Sequence, residues 1–590
     1  MNLKIISFFF FLFFLSLPAY PYTHSTSLIK WQEYSDQAFL TAKKENKPVF
    51  MLITAIWCHW CNVYEEKSLE DKDAAEYINQ NYIPIFVDYD KRKDISRQYP
   101  ASGLPITIIL SPAGERLITA PGYIPKERLL ENLKKTARSL GDRETEKRGD
   151  GETERRRDGE TKKRGNGETE KRSIEKVTHL SSKELKKITS GFKEIVLSSY
   201  DKTYGGFGSS QKIPYADVLE SLLYLYEEEK DKKWLDMVTN SLDHMAGLRQ
   251  KGDDKRPEPE YLIDLYKNRD RKDWVDKVIE LQKKYKLSGL YDRIDGGFFR
   301  YSAERDWARP HFEKLLSDNA DIIRLYLHAY RISKNEKYKK IAEDSLNYAL
   351  TTFYNEQDGR FYNSQRSDIV YYYLSEKDRK AVGSPDVDRA AFAVSQSKMI
   401  ITLLHAADTP PLIPPLLRGD TRGLKDIALS CLRFIYKNMV TENGVLSYYD
   451  PAKKEKGLTG QLEDNLWAIL AFKEAYLHTK NKGYLDTAET LAQFVVINLY
   501  DKKQGGFYEW RIGEAKGQGS GVKGQGLGEK AYLLNGLAAY TMLELYKLTN
   551  KEEYLKTAKE TIGAFLPDKN KPSSPYFQRS AGYLIKGLSK

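Results

Sequence analysis

The sequence predicts two domains of different class: an N-terminal α/β domain, then an all-α domain of paired helices closed into an (α/α)6 toroid or barrel. Three observations carry this. Apolar runs that read as strands flank a single Cys-x-x-Cys near the N-terminus. A tract of charged octads without one apolar residue follows. Beyond it the apolar spacing is helical, and one helix–turn–aromatic unit recurs in register.

In the first domain, Pro48 to Ile56 is an apolar run that reads as a buried strand, and the stretch after Cys61 (Val63, Tyr64, Glu66, Leu69) reads as helix. Trp57-Cys58-His59-Trp60-Cys61 therefore sits where a strand turns into a helix. There the helix's unpaired N–H groups and dipole lower a thiol pKa, and His59 favours the thiolate as well. Cys58 is the expected attacking sulfur and Cys61 the resolving one. The competing readings are a zinc half-site or two incidental thiols. Zinc wants further ligands, and the third and last cysteine, Cys431, lies alone in a later helix. Neither metal nor cofactor is expected.

Tyr82 to Asp88 reads as a further strand, and Gly103-Leu104-Pro105 opens another, Ile106 to Leu110. A proline opening an apolar strand is the natural site of a cis bond. With these residues the segment resembles the thioredoxin fold, and the resemblance implies that Pro105 faces the C-x-x-C and holds the substrate backbone. There is one departure. Thioredoxins carry a buried acid in the strand before the motif, and Val49 to Ile56 has none, which leaves the proton acceptor for Cys61 unassigned.

Met1 to Lys4 is a short basic start, and Ile5 to Leu17 is nearly all Phe, Leu and Ile. Residues 1–22 read as a secretory signal, with an uncleaved anchor as the alternative because Leu17 stands where cleavage wants a small residue. Export, to the periplasm or the extracellular space, would put the cysteines where disulfides persist. The formal charge of +11 is small for 590 residues, its lysines lie mostly beside glutamates, and no phosphate loop is present. No nucleic-acid partner is expected, and membrane contact only through an uncleaved N-terminal segment. The thioredoxin-like domain is placed at 27–140. Four octads, GDRETEKR, GDGETERR, RDGETKKR and GNGETEKR, occupy 141–172 and place a disordered linker at 141–176. Pro410 to Pro415 and Gly513 to Gly528 read as smaller loop insertions.

The second domain is placed at 177–590. Tyr338 opens an amphipathic helix followed 16 residues later by Tyr354 and 23 later by Phe361, and Tyr484, Tyr500 and Phe507 repeat that spacing. Related turns stand at Tyr200-Asp201…Gly205-Gly206-Phe207 and Asp292…Gly296-Gly297-Phe298. Each is a helix, a glycine turn and an aromatic returning to the core. Such hairpins stack or close, and about six of them suit a closed barrel, with an open solenoid as the alternative. Rim turns would line a pocket at the barrel mouth.

Polar residues concentrate in Gly296 to Ser302, Trp307 and Arg309 to Ala320. His311, Glu313 and Asp318 are candidate acid–base groups, and Arg300 and Trp307 candidates to hold and stack a sugar-like ligand. Asp464, in Glu463-Asp464-Asn465, is a weaker candidate. The plainer reading makes Glu313 and Lys314 surface charges and Asp318-Asn319 a satisfied buried network.

Together, Trp57 to Cys61, Tyr204-Gly205-Gly206-Phe207-Gly208 with Lys212-Ile213-Pro214, Gly296 to Ser302 and Pro310-His311-Phe312-Glu313-Lys314 resemble the YyaL-type family, represented in animals by a spermatogenesis-associated thioredoxin-like protein. The resemblance implies a thioredoxin-like domain joined to a barrel similar to those of N-acylglucosamine 2-epimerases and six-hairpin glycosidases. The chain departs from the family at Asn62, Tyr64 and Ser317. It also departs at Gln365-Arg366-Ser367-Asp368, where relatives carry an Asp-Ala-Asp segment; if that segment serves catalysis in relatives, this barrel is altered or inactive.

The expected function is thiol–disulfide exchange on client protein thiols or disulfides through Cys58, Cys61 and Pro105, with Trp57 and His59 beside them and a barrel that binds client or carbohydrate. The alternatives are a carbohydrate-active barrel, an epimerase or glycosidase, or a non-catalytic glycan- or peptide-binding protein.

Overall fold

The first domain runs β1 (Gln32–Glu33), α1 (Asp36–Glu45), β2 (Val49–Thr54), α2 (His59–Tyr64) with a π-helical turn Glu65–Leu69, α3 (Lys72–Asn81), β3 (Ile83–Asp88), α4 (Lys93–Ser96), β4 (Ile106–Leu110), β5 (Arg116–Pro121) and α5 (Lys126–Gly149). The sheet order is β1-β3-β2-β4-β5, with β1 and β2 parallel to β3, and β4 antiparallel to β2 and β5. All six residues of β2 are buried because it lies between two cores. Val49, Met51 and Ile53 join Ala38, Ala42 and Ile108 on one face; Phe50 and Leu52 join Tyr64, Ile78 and Leu129 on the other. This computed structural model describes residues 27–149, 180–249, 256–409, 423–510, 529–566 and 574–588. The N-terminal apolar run, most of the octad tract and the two smaller insertions lie outside them. Helix α5 passes the boundary expected at 140 and carries the first octad to Gly149. Glu, Lys and Arg propagate a helix already begun even where they cannot bury a face.

The second domain comprises α6 (Ser182–Ser199), α7 (Ala216–Glu229), α8 (Lys232–Met245), α9 (Pro259–Lys267), α10 (Trp274–Lys284), α11 (Leu316–Ser333), α12 (Glu336–Thr352), α13 (Ile369–Tyr373), α14 (Glu376–Val382), α15 (Ala393–Ala407), α16 (Leu424–Asn438), α17 (Leu462–Thr479), α18 (Lys482–Asn498), α19 (Tyr532–Thr549), α20 (Glu552–Ala564) and α21 (Pro575–Leu588). Helices α7, α11, α15, α17, α19 and α21 pack in that order, and α21 returns to α7, so the inner ring closes. Helices α8, α12, α16, α18 and α20 back the inner helices they follow in the chain, and α6 backs α21. The sixth hairpin is thus made from the two ends of the domain. The barrel is closed, not an open solenoid.

Two devices repeat around the rim. Asp201, Asp292 and Asp501 each accept backbone N–H groups two and three residues on, fixing the glycine turn. Lys212, Lys314 and Lys530 then reach those carboxylates at 2.8, 2.8 and 2.7 Å. The fourth residue of four inner helices (Asn319, Gln396, Asn465, Asn535) accepts the N–H of a returning rim residue: Phe298, Phe361, Val445 and Phe507 respectively. Lys314 and Asn319 are therefore structural. Lys314 is fully buried, where the plain reading had it a surface charge.

The first domain caps the barrel mouth. Its basic α4 region meets an acidic rim: Lys91–Glu455 at 2.6 Å, Arg97–Glu509 at 2.6 Å, Arg97–Glu463 at 3.1 Å and Lys93–Glu463 at 3.4 Å. Such complementarity fixes the register of docking. Against it, three carboxylates crowd the same boundary. Asp88 is pushed up to about 7 by burial, Asp90 and Asp388, and Asp388 up to about 6 by burial and Asp90. A carboxyl raised from its ordinary 3.8 favours the folded state at low pH, and that contribution is lost as pH rises through about 6. Asp388→Asn, permanently uncharged, is expected to raise the thermal midpoint at pH 8 and to leave it nearly unchanged at pH 4. Equal effects at both pH values would refute the assignment.

Candidate functional site

Strand β2 ends at Thr54, and Cys58 N–H donates to Ala55 O at 3.1 Å, closing a turn that makes Cys58 the N-cap of α2. The Cys61 N–H points at Cys58 Sγ, 3.2 Å away, and the two sulfurs pair as a disulfide with Cα atoms 5.3 Å apart. In the reduced state the same N–H stabilises a Cys58 thiolate. Cys58 is 4% exposed and Cys61 fully buried, so Cys58 is the more accessible of the two. The Leu104–Pro105 bond is cis, and Leu104 packs with Ala55 and Trp57 against the cysteines.

His59 does not do what its position suggested. It is buried against Trp60 and Trp274, and burial holds its pKa down to about 3, so at neutral pH it lends the thiolate no positive charge. The cation near the motif comes from the barrel. The Arg300 guanidinium carbon lies 4.4 Å from the centre of the Trp57 ring. Trp57 is held from three sides, because its Nε1 donates to Asp90 Oδ2 at 2.7 Å and its carbonyl accepts from Ser367 N–H at 3.0 Å. The strand before the motif carries no acid, and the carboxylate beside its end is that of β3: Thr54 is the register partner of Asp88, which burial pushes up to about 7.

One cavity of about 780 Å³ is lined by Cys58, Trp57 and Trp60, by residues 99–104 before the cis bond, and by Arg300, Tyr301, His311, Glu313 and Asp318 of the barrel. Four of the six barrel candidates thus share a cavity with Cys58. His311 stacks on Tyr301 with ring centres 4.1 Å apart, and its Nδ1 is 3.9 Å from Glu313 Oε2. Burial lowers the His311 pKa despite Glu313, and burial raises the Asp318 carboxyl. Asp318 faces the cavity while Asn319, about a hundred degrees further round α11, is clamped to Phe298.

Two candidates are corrected. Trp307 is fully buried and donates its Nε1–H to Tyr204 O at 2.8 Å, and its ring fills the space over Gly206. It is core and cannot stack a ligand. Asp464 lies outside this cavity, in a narrow crevice with Lys93, Arg97 and Glu463 at the domain boundary, where burial pushes it to about 6. Tyr301 and loop 99–104 are site residues the sequence reading did not single out, although Tyr301 lies inside the segment it marked. Among the described residues, no group of three or more His, Cys, Asp or Glu is placed to hold a metal ion, and no helix is long and apolar enough to cross a membrane.

Fold and site together define a thioredoxin-like domain whose C-x-x-C opens onto the mouth of an (α/α)6 barrel. The family described as "Protein of unknown function, DUF255", Thioredox_DsbH, matches residues 15–150. The mouse spermatogenesis-associated protein 20 is 26% identical over 356 residues, 58% of this chain and 39% of the mouse protein, so the match spans well under half of that relative. An uncharacterized protein of Caenorhabditis elegans, B0495.5, is 24% identical over 91% of this chain and 71% of its own length. The chain is accordingly similar to the spermatogenesis-associated thioredoxin-like proteins, as its motifs indicated. Among solved structures, cellobiose 2-epimerase from Spirochaeta thermophila is similar at a TM-score of 0.49 and 11% identity, over 69% of this chain and 97% of that one. A family 76 glycoside hydrolase is similar at 0.45 and 10%, over 82% and 84%.

Proposed function

We propose that the protein is an exported thiol–disulfide oxidoreductase whose substrate enters by the barrel mouth. The observation that carries this reading is the single cavity shared by Cys58 and the barrel residues Arg300, His311, Glu313 and Asp318. Cys58 thiolate attacks a substrate disulfide, Cys61 resolves the mixed disulfide, and Pro105 presents the loop over them; run backwards, the disulfide accepts electrons from substrate thiols. The apolar run Ile5 to Leu17 supports the exported setting.

The test is a glutathione titration of the purified protein, read by the fluorescence of Trp57 and Trp60. A midpoint near about −120 to −180 mV marks an oxidase or isomerase, and one near about −270 mV a reductase. Absence of any reversible disulfide sinks the proposal.

A carbohydrate-active barrel is the second reading, favoured by the His311–Glu313 pair and Asp318 on the same wall. It predicts sugar turnover that survives replacement of both Cys58 and Cys61 by serine.

A further inference from the structure

What Cys58 can meet is limited by the walls in front of it. The sulfur belongs to a residue 4% exposed, at the base of a half-open cleft walled by loop 99–104 and the barrel residues Arg300, His311, Glu313 and Asp318. A disulfide lying on a folded protein surface is poorly placed to reach a sulfur so recessed. A volume of about 780 Å³ instead suits a small molecule.

The charge of the wall narrows the class further. Arg97 is committed to Glu509 and Glu463, and Arg300 lies over Trp57. Asp321 is committed to Lys398 at 2.6 Å and Arg324 at 2.8 Å. Glu313 is different. It is 4% exposed, its Oε2 has no hydrogen-bond partner, and the nearest basic atom is His311 Nδ1 at 3.9 Å. A buried carboxylate oxygen without a donor is unfavourable, and Glu313 is one of the residues lining the cavity, so a cation entering there meets a carboxylate whose charge no close partner offsets. Asp318 adds a second carboxyl to the same wall.

We infer that the substrate is a low-molecular-weight disulfide, or its thiol, bearing a primary ammonium that Glu313 receives while the sulfur meets Cys58. This rests on the redox reading of the same cavity and adds the substrate class. Cys58 thiolate bonds one sulfur of the disulfide RS–SR, the ligand S–S bond breaks, and one RS⁻ leaves. Cys61 then bonds Cys58 and expels the second RS⁻. The protein dithiol is oxidised by two electrons, the ligand is reduced to two thiols, and the two cysteine protons end on those products.

The experiment mixes dithiol-reduced full-length protein with cystamine, hydroxyethyl disulfide, dithiodipropionate and insulin, each rate divided by that of the same disulfide with free dithiothreitol. Cystamine is expected to exceed dithiodipropionate and insulin by at least about tenfold, and the preference should shrink with added salt. Glu313→Gln is expected to bring the ratio of cystamine to dithiodipropionate within about twofold. Equal normalised rates for the three small disulfides in wild-type protein, or insulin as fast as cystamine, would overturn the inference and leave the redox reading standing. No reaction with any of the four, the neutral one included, removes both. The wild-type comparison decides even if the variant does not fold.

Discussion

Serine at position 61 is expected to turn the protein into a trap: a substrate sulfur bonded to Cys58 stays bonded, visible as a reductant-sensitive mass increase. Serine at position 58 is expected to abolish exchange altogether and to trap nothing. The asymmetry follows from burial. Cys61 is fully enclosed and cannot attack an incoming disulfide in place of Cys58. Cys431 cannot substitute either, since it is buried in α16, its S–H donates to Gln396 Oε1 at 3.0 Å, and burial pushes its pKa up. Mass spectrometry of both variants after mixing with a small disulfide checks this, and adducts at Cys61 in the Cys58→Ser protein would contradict the assigned roles.

The second large effect concerns the barrel. Asp292 accepts from Lys314 Nζ at 2.8 Å and Arg379 Nη1 at 2.9 Å, and all three residues are almost wholly buried. Asp292→Ala leaves two buried cations short of their counter-charge and is expected to destabilise the barrel by about 3–5 kcal/mol, the usual effect of breaking a buried pair. The corresponding Asp501→Ala should do less, because the Lys530 side chain is 17% exposed and water can take over. Urea unfolding followed by helical circular dichroism compares them, and equal losses would refute the burial argument. The pH dependence has a definite sign. Burial alone would raise the Asp292 carboxyl, but Lys314 and Arg379 outweigh it and hold it at about 2, below its ordinary 3.8. Its contribution is therefore complete above pH 3.8 and lost as pH falls toward about 2, so the gap between wild type and variant should close over that interval.

The architecture was legible because its signals are local. An apolar run, a C-x-x-C and a proline before the next strand lie within a few dozen residues, and the barrel repeats its own turn. What was not legible is convergence. Asp318 and Asp464 occupy the same third position of inner helices, yet α11 and α17 are separated in the ring by α15, so they open on different spaces. Trp307 follows a polar motif as a ligand platform would, but its position is decided by Gly206 and the Tyr204 carbonyl, about a hundred residues earlier. His59 was read by proximity to the cysteines, whereas its charge is decided by burial, to which Trp274 of the other domain contributes a wall. The missing acid of β2 is a further case: the carboxylic residue beside the end of that strand is Asp88 of β3, next to it in the sheet but not in sequence.

The pairing of α6 with α21 has a consequence for biogenesis. The barrel is a bracelet whose clasp is made from the helix that leads it and the helix that closes it, so during synthesis the ring stays open until nearly all of its residues have been made. The first domain has its whole sheet and both cores long before then. Until residues 300–315 have been made and have folded against it, Cys58 has no Arg300, Glu313 or Leu315 in front of it. On the redox function proposed above, the wall that would select a substrate is complete only once the barrel has folded around Cys58.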